Sequence, residues 1–86
     1  MSHPLAGSVA IVTGASSGIG RSYAQALDEC GVSQVLMGRN AERLTAVASS
    51  LRNPVRTLVG DIADPALSQQ AVALAQSAFG KLDILL

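Results

Sequence analysis

The chain contains few of the side chains on which most catalytic and metal sites depend. It has one cysteine, Cys30, one histidine, His3, and no tryptophan. A single cysteine excludes an internal disulfide and a multi-cysteine metal site. His3, the only histidine, cannot complete a Ser-His-Asp set in any arrangement that the sequence suggests. We therefore expect no metal, and the cysteine usage favours a reducing, cytoplasmic setting.

Charged and aromatic residues are also scarce. Six basic residues balance six acidic ones, and aromatics make up 2% of the chain. Without a basic patch or several stacking rings, we expect no nucleic-acid partner. No apolar run approaches the roughly 20 residues of a membrane helix, and the first four residues lack a signal-peptide pattern. We therefore expect no membrane association either.

Apolar residues, by contrast, are abundant. They make up 49% of the 86 residues, while charged residues make up 14%, against about 25% in typical domains. A chain of this length fits one small domain at most. The apolar excess indicates that part of its surface is normally covered by further structure.

Short apolar runs alternate with helical patterns along the chain. Asn40 and Asp64 are typical helix N-caps, and Pro65 suits a first helical turn. We predict strands over residues 8–13, 34–37, 55–59 and 82–86, and helices over residues 18–30, 41–52 and 65–79.

This β-α-β-α-β-α-β order predicts a parallel sheet. Right-handed crossovers place the first two helices on one face and the third on the other, provided that the fourth strand joins the far side of the first. The predicted strand order is then 3-2-1-4. We expect an α/β fold in which residues 1–86 form the incomplete N-terminal, dinucleotide-binding part of a single Rossmann-type, doubly wound domain.

The first two helices each carry apolar residues at steps of three and four. These stripes predict the faces that pack on the sheet. They consist of Ile19, Tyr23, Ala26, Leu27 and Cys30 in the first helix, and Leu44, Val47, Ala48 and Leu51 in the second.

A glycine-rich turn, Thr-Gly-x-x-x-Gly-x-Gly, joins the first strand to the first helix over residues 13–20. Gly14 allows a tight exit from the strand, Gly18 lets the backbone approach a diphosphate, and Gly20 allows close helix packing. We expect the N–H groups of Ser17, Gly18 and Ile19 to point at the anion. The alternative is an ordinary strand-to-helix turn, which the strand before and the helix after make the weaker interpretation.

The end of the second strand bears on the choice of cofactor. Folds that select NAD place a carboxylate about 20 residues beyond the glycine turn, whereas this chain has Gly38 followed by Arg39. The Arg39 guanidinium, helped by the Ser16 hydroxyl, could bind a 2′-phosphate. We therefore predict NADP rather than NAD. The alternative is that Arg39 is a solvated residue beside a helix cap.

Two further residues carry alternatives that spacing alone leaves open. Asp61, at the end of the third strand, could accept from an adenine amino group while Ile62 lies against the ring, or it could serve only the turn. Arg21 opposes the dipole of the first helix; a bound diphosphate would relieve this conflict, although a solvated arginine is the favoured interpretation.

The chain resembles the short-chain dehydrogenase/reductase family. The resemblance rests on Leu-x-Gly at residues 5–7, the turn at 13–20, Gly-Arg-Asn at 38–40, Asp-Ile at 61–62 and Gly-x-Leu-Asp-Ile-Leu at 80–85. It implies a homo-oligomeric parent that binds NADP. The cofactor phosphates and ribose would contact Gly14, Ser16, Ser17, Gly18, Ile19 and Gly20, the 2′-phosphate Arg39 and Asn40, and the adenine Asp61 and Ile62.

The family's catalytic groups have no counterparts here. Its Asn-Asn-Ala-Gly motif would begin just past Leu86, and its catalytic Ser and Tyr-x-x-x-Lys pair would follow. The only tyrosine is Tyr23, with Leu27 four residues on, and the only lysine is Lys81. We expect an NADP(H)-binding N-terminal segment, inactive alone, of an enzyme that transfers hydride between NADP(H) and a carbonyl or alcohol. The alternatives are a stand-alone nucleotide-binding module and a subunit-interaction fragment.

Overall fold

The computed structural model describes residues 4–86, so His3 and the rest of residues 1–3 lie outside the described residues. Four strands and three helices alternate in the predicted order. The strands are β1 (Val9–Val12), β2 (Ser33–Gly38), β3 (Val55–Val59) and β4 (Ile84–Leu85), and the helices are α1 (Gly18–Glu29), α2 (Ala41–Ser49) and α3 (Pro65–Phe79).

The strands form one parallel sheet in the order β3-β2-β1-β4, which confirms the predicted topology. In β1, Ile11 lies opposite Val35 of β2 and Leu85 of β4. Because all four strands run in the same direction, their carboxyl ends meet at one edge of the sheet, called here the carboxyl edge. The strand order reverses between β1 and β4 at this edge.

Two apolar layers cover the faces of the sheet. On one face, Val9, Ile11, Val35 and Met37 pack against Leu67, Ala71 and Ala75 of α3. On the other, Val12 and Leu36 pack with Ala15, Ala24, Leu44 and Val47, which include residues of α1 and α2. Each of the largest buried side chains contributes roughly 1.5–3 kcal/mol through its removal from water. The predicted division of the helices between the faces is therefore confirmed.

The predicted helix starts are confirmed by their caps. The Asn40 Oδ1 accepts the Arg43 N–H at 3.0 Å, and the Asp64 Oδ1 accepts the Ala66 N–H at 3.0 Å. Each bond satisfies one of the N–H groups that a helix start leaves unpaired. Among residues 4–86, no helix combines the length and the apolar character needed to cross a membrane.

Helix α2 ends three residues before the predicted boundary at residue 52, and Asp28 explains why. The Asp28 carboxylate, buried at the end of α1, accepts the N–H groups of Arg52 at 2.9 Å and Asn53 at 2.8 Å. Burial raises the pKa of Asp28, but these bonds, the side-chain amide of Asn53 and the charge of Arg52 together hold it below its ordinary value. Because these hydrogen bonds hold the backbone of Arg52 and Asn53 at the end of α1, the chain leaves α2 before residue 52 and continues to β3.

The predicted buried face of α1 is wrong for Ile19, Tyr23 and Ala26, which are exposed, whereas Leu27 is partly buried and packs on the core as predicted. Ile19 is 75% exposed and Tyr23 is 52% exposed, whereas Gly20, Ala24 and Asp28 are buried. A Cβ on Gly20 would collide with the carbonyl group of Gly14. Because the helix backbone rests directly on the turn at Gly20, this contact sets the rotation of α1 and leaves Ile19 and Tyr23 on its exposed side.

Side-chain bonds hold the short strand β4 against β1. The Asp83 Oδ2 accepts the Val9 N–H at 2.9 Å, while the Asp83 N–H donates to the Val9 carbonyl at 2.9 Å. At the carboxyl edge, the N–H and hydroxyl of Thr13 both donate to the Leu86 carbonyl at 2.8 Å. Hydrogen bonds at both ends of β4 therefore fasten this strand to β1, at the place where the strand order reverses.

Candidate functional site

The turn after β1 is a rigid connection between the sheet and α1. Gly14 has φ +64°, a conformation that glycine adopts without strain. Its carbonyl accepts the N–H of Ser17 at 3.0 Å and the hydroxyl of Ser17 at 2.7 Å. The N–H of Ala15 donates to the Met37 carbonyl at 3.0 Å, which fastens the turn to β2.

Two backbone N–H groups at the start of α1 lack an acceptor within the described part of the chain. They belong to Gly18 and Ile19. The Ser17 N–H, also expected to be available, is used by Gly14, so that expectation is wrong. The Gly20 N–H donates to the Ser17 Oγ at 3.2 Å. The two remaining donors lie at the positive end of the helix dipole and can bind an anion.

Gly18 leaves these donors open to approach. A Cβ at Gly18 would meet no protein atom within 4 Å, and the residue does not have a positive φ. Neither packing nor backbone conformation therefore requires glycine at this position. What the missing side chain does provide is free space over the exposed amides.

The end of β2 lies beside the glycine turn, so Ser16 is close to Gly38 as the sequence predicts. The Ser16 Oγ lies 2.8 Å from where a Cβ of Gly38 would be, so the serine side chain covers this glycine. The Arg39 Nη2 lies 3.1 Å from the Asp61 Oδ1, and both side chains are more than half exposed. Arg39 is thus an ion-paired residue, an outcome that neither sequence interpretation included. Arg39 follows β2 and Asp61 follows β3, and these neighbouring parallel strands end at the same edge of the sheet, so the two side chains lie close together.

Asp61 has a defined role in its turn. Its Oδ1 also accepts the Ala63 N–H at 2.9 Å. That bond, followed by the hydrogen bond and charge of Arg39, holds the pKa of Asp61 below its ordinary value. The turn role is therefore confirmed, while the adenine contact stays a prediction for Asp61 and for Ile62, which is 50% exposed.

A cavity of about 270 Å³ lies between the glycine turn and α2. Arg21, favoured above as a solvated residue, lines it, and so does Arg43, which the sequence interpretation did not consider. Both lie near the N-terminus of a helix, where a cation is unfavourable. This position in the sequence could have identified Arg43 as a candidate anion-binding residue. The cavity lining also includes Ser16, Ser17, Gly18 and Val47.

A larger cavity, of about 560 Å³, lies at the opposite edge of the sheet beside Asp28 and Asn53. The Asp28 carboxylate is already saturated by the N–H groups of Arg52 and Asn53. Within residues 4–86, no group of three His, Cys, Asp or Glu side chains is placed to hold a metal ion. The chemistry therefore concentrates at the carboxyl edge.

The structure brings the predicted site residues together along this edge. The turn residues follow β1, Arg39 and Asn40 follow β2, and Asp61 and Ile62 follow β3. Some of their groups have structural partners: the Asn40 oxygen caps α2, and Arg39 and Asp61 bind each other. The groups that remain available are the N–H groups of Gly18 and Ile19 and the Ser16 hydroxyl, beside a cavity lined by Arg21 and Arg43. N–H, hydroxyl and guanidinium groups all bind phosphate oxygens.

Known proteins resemble this chain in sequence. An uncharacterized oxidoreductase of Staphylococcus epidermidis is 40% identical over 76 residues, which are 88% of this chain and 33% of the relative. A Staphylococcus aureus counterpart is 42% identical over 79 residues, which are 91% of this chain and 34% of that protein. The chain spans about a third of the length of the curated relatives that it matches.

Solved structures resemble this chain in both fold and sequence. L-sorbose reductase from Gluconobacter frateurii, complexed with NADPH and L-sorbose, superposes with a TM-score of 0.90 at 36% identity, covering 99% of this chain and 34% of that one. A short-chain dehydrogenase/reductase from Brucella melitensis gives a TM-score of 0.91 at 32% identity, covering 99% of this chain and 37% of that one. The family model described as short chain dehydrogenase matches residues 8–86. The chain belongs to the short-chain dehydrogenase family.

Proposed function

We propose that residues 1–86 are the NADP(H)-binding N-terminal part of a single Rossmann-type domain in a cytoplasmic, homo-oligomeric oxidoreductase. The whole protein transfers hydride between NADP(H) and a carbonyl or alcohol. The observation that carries the proposal is the pair of free N–H groups on Gly18 and Ile19. They lie where the strand order reverses, the position at which such sheets bind nucleotides.

The turn fits a diphosphate. Each anion placed at the start of α1 gains roughly 0.3–1 kcal/mol from the helix dipole. Gly18 adds the space that close approach requires, since no protein atom lies within 4 Å of its missing Cβ. Gly14 and Gly20 hold the turn and helix in contact, so the donors are in place before any ligand arrives.

The end of β2 supports NADP over NAD. Gly38 stands where a carboxylate would repel a 2′-phosphate, and the Ser16 hydroxyl covers it. L-sorbose reductase, 36% identical to this chain, was solved with NADPH. Arg39 and Asn40 stay predicted contacts of the 2′-phosphate, as Asp61 and Ile62 stay predicted contacts of the adenine.

The bound nicotinamide would supply the hydride, and this chain's residues would bind and orient the coenzyme. No Tyr-x-x-x-Lys pair occurs in the 86 residues, where Tyr23 is the only tyrosine and Lys81 the only lysine. We therefore expect coenzyme binding without turnover from these residues alone.

The test is a titration of the 86-residue chain with NADPH and NADH, followed by nicotinamide fluorescence. We expect saturable binding of both, with NADPH the tighter. Gly18→Val should abolish binding of both coenzymes because its side chain covers the free amides. Ser68→Val, an exposed β-branched substitution near the start of α3, is the matched control and should bind normally.

Absence of saturable binding to the unsubstituted chain below about 1 mM, equivalent to about 4 kcal/mol, would contradict the proposal. So would undiminished binding by a folded Gly18→Val variant. Circular dichroism of each variant establishes whether it is folded.

A second candidate, a fragment that pairs with other subunits, has one observation in its favour. Within residues 4–86, β4 pairs only with β1, and its Leu85 is 70% exposed. An unpaired apolar strand edge promotes association. Sedimentation of the chain at high concentration tests this candidate, and a monomer under those conditions would contradict it.

A further inference from the structure

The outer edge of β3 presents backbone groups that no other described segment uses. Within residues 4–86, β3 pairs with β2 alone. The Gly60 N–H, directly after β3, donates to the Gly38 carbonyl of β2 at 2.9 Å. Successive residues of a strand direct their backbone groups to opposite sides. Alternate residues before Gly60 therefore face β2, and Val55, Thr57 and Val59 direct their N–H and carbonyl groups away from the sheet.

A side-chain contact supports this orientation. The Arg56 Nη1 donates to the Val55 carbonyl at 3.1 Å, which places that carbonyl on the open side of the strand. The same guanidinium lies 5.8 Å from the centre of the Phe79 ring. The outward groups of Thr57 and Val59 have no partner among the described residues. The edge is therefore free over its middle and its carboxyl end.

No other described element shields this edge. None of the five residues of β3 is buried, and Arg56, Thr57 and Val59 are exposed. Edge strands usually resist further pairing because they are very short, contain proline or lysine, or bulge. The strand β3 has neither proline nor lysine, and its register with β2 continues without interruption. It can therefore accept a further strand.

The sequence of β3 is suited to pairing with a copy of itself. In an antiparallel pair centred on Thr57, Thr57 lies opposite Thr57 of the second copy, Val55 opposite Val59, and Arg56 opposite Leu58. Outward residues then meet outward residues, so each such pair can exchange both N–H···O=C bonds. Opposed threonines stabilise a sheet. The Val55 carbonyl, with two lone pairs, can accept this bond as well as that from Arg56.

This register is favoured over the neighbouring symmetric ones. A pair centred on Arg56 would place two guanidinium groups directly opposite each other, and like charges in that position destabilise a sheet. A pair centred on Leu58 would leave Val55 unpaired, because the strand ends at Val59. The register centred on Thr57 pairs the whole strand and places each guanidinium opposite a leucine.

We infer that β3 is a homodimerisation edge, at which two copies of the chain join their sheets about a two-fold axis at Thr57. Such an interface uses the same edge of both copies and closes the assembly. Strands of five residues bury less surface than a standard interface, so we expect a dissociation constant of roughly 1 μM to 1 mM. The inference does not depend on coenzyme binding, and it concerns the edge opposite β4.

The first test is sedimentation equilibrium of the 86-residue chain and of Thr57→Pro. Because the Thr57 N–H points away from β2, proline removes a donor that only the second copy would use, and strand edges tolerate proline in this orientation. The dimer dissociation constant should rise at least about tenfold, since the bond is lost from both copies. Thr57→Val retains the N–H group, so this matched control should dimerise almost normally.

Leu85→Lys distinguishes the two edges of the sheet. It adds a charge at the exposed side chain of β4 and should leave the β3 dimer unchanged. Loss of the dimer in Leu85→Lys, with normal dimerisation of Thr57→Pro, would assign the association to β4 and overturn the inference. A monomer up to about 1 mM, the weak limit of the expected range, would overturn it as well.

Amide hydrogen exchange provides a second test that needs no substitution. Raising the chain concentration should slow exchange at Thr57 and Val59, whereas Arg56 and Leu58, which face β2, should change little. Unchanged exchange at Thr57 and Val59 over the full concentration range would overturn the inference, even if Thr57→Pro fails to fold by circular dichroism. Titration with NADPH at low chain concentration tests the proposed function separately, because it requires no dimer.

Discussion

Asp28 is a buried carboxylate that accepts hydrogen bonds from the backbone N–H groups of Arg52 and Asn53 and from the Asn53 side-chain amide. Replacing it with alanine leaves the N–H groups of Arg52 and Asn53 without their acceptor. We expect Asp28→Ala to lower the free energy of unfolding by about 2 kcal/mol, measured by urea titration in sucrose, which favours the compact state. Glu29→Ala, at the exposed neighbouring position, is the control. Equal effects of the two substitutions would contradict this role.

The depressed pKa of Asp28 also predicts how stability depends on pH. Its pKa is lowered in the folded state relative to about 3.9 in the unfolded chain. The stability that it contributes is therefore complete above the unfolded pKa and is lost as the pH falls through the folded pKa. The pKa values of Asp61 and Asp83 are lowered in the same direction.

We therefore expect the free energy of unfolding to fall as the pH drops below about 4, with a shallower fall in Asp28→Asn. Urea titrations at successive pH values provide the measurement. An identical pH profile in the variant would show that Asp28 is not the group involved.

Gly18 and Gly20 resemble each other in sequence, but the structure gives them different roles. A Cβ at Gly20 would collide with the Gly14 carbonyl, whereas one at Gly18 meets nothing within 4 Å. We expect Gly20→Ala to cost at least about 2 kcal/mol of stability and Gly18→Ala to cost almost none. Urea titration of the two variants in sucrose, which favours the compact state, would decide, and similar losses in both would contradict the assignment.

At the scale of elements, α1 shows how packing overrides an apolar pattern. Its apolar stripe predicts burial of Ile19 and Tyr23, yet Ala24 occupies the interface at 0% exposure while Tyr23 is 52% exposed. Larger side chains would hold the helix away from the sheet, and the contact at Gly20 forbids that separation. The small residues therefore face inwards.

The same packing predicts opposite effects for two substitutions in α1. Ala24→Leu should destabilise the fold by about 1–3 kcal/mol, because it adds volume to a filled interface. Tyr23→Ser, on the exposed side, should change stability by less than about 0.5 kcal/mol. Urea titration measures both, and a larger loss from Tyr23→Ser would mean that α1 packs with the face predicted from its stripe.

At the scale of the whole molecule, the described residues cover the sheet unevenly. Helix α3 is the only described helix on its face, β3 is partly exposed along its length, and β4 has two residues. We expect the 86-residue chain to lack a sharp thermal transition in the range of about 45–65 °C that is usual for mesophile domains. Calorimetry provides the measurement, and a cooperative transition in that range would contradict the expectation.

Coenzyme binding should also change the thermal transition of the 86-residue chain. A coenzyme at one hundred times its dissociation constant would stabilise the folded chain by about 2.7 kcal/mol. NADPH should therefore sharpen and raise the transition more than NADH at equal concentration.

The sequence by itself determined the order of elements, the helix caps at Asn40 and Asp64, the strand order and the place of the glycine turn. These follow from local backbone preferences and from the handedness of parallel crossovers, which act over a few residues or one βαβ unit. Tertiary structure alone decided the rotation of α1 and the Arg39–Asp61 pair. It also decided the early end of α2, whose following residues bind Asp28, and the cavity that Arg21 and Arg43 both line. Each of these depends on which atoms of distant segments come within contact distance, and no local pattern specifies that.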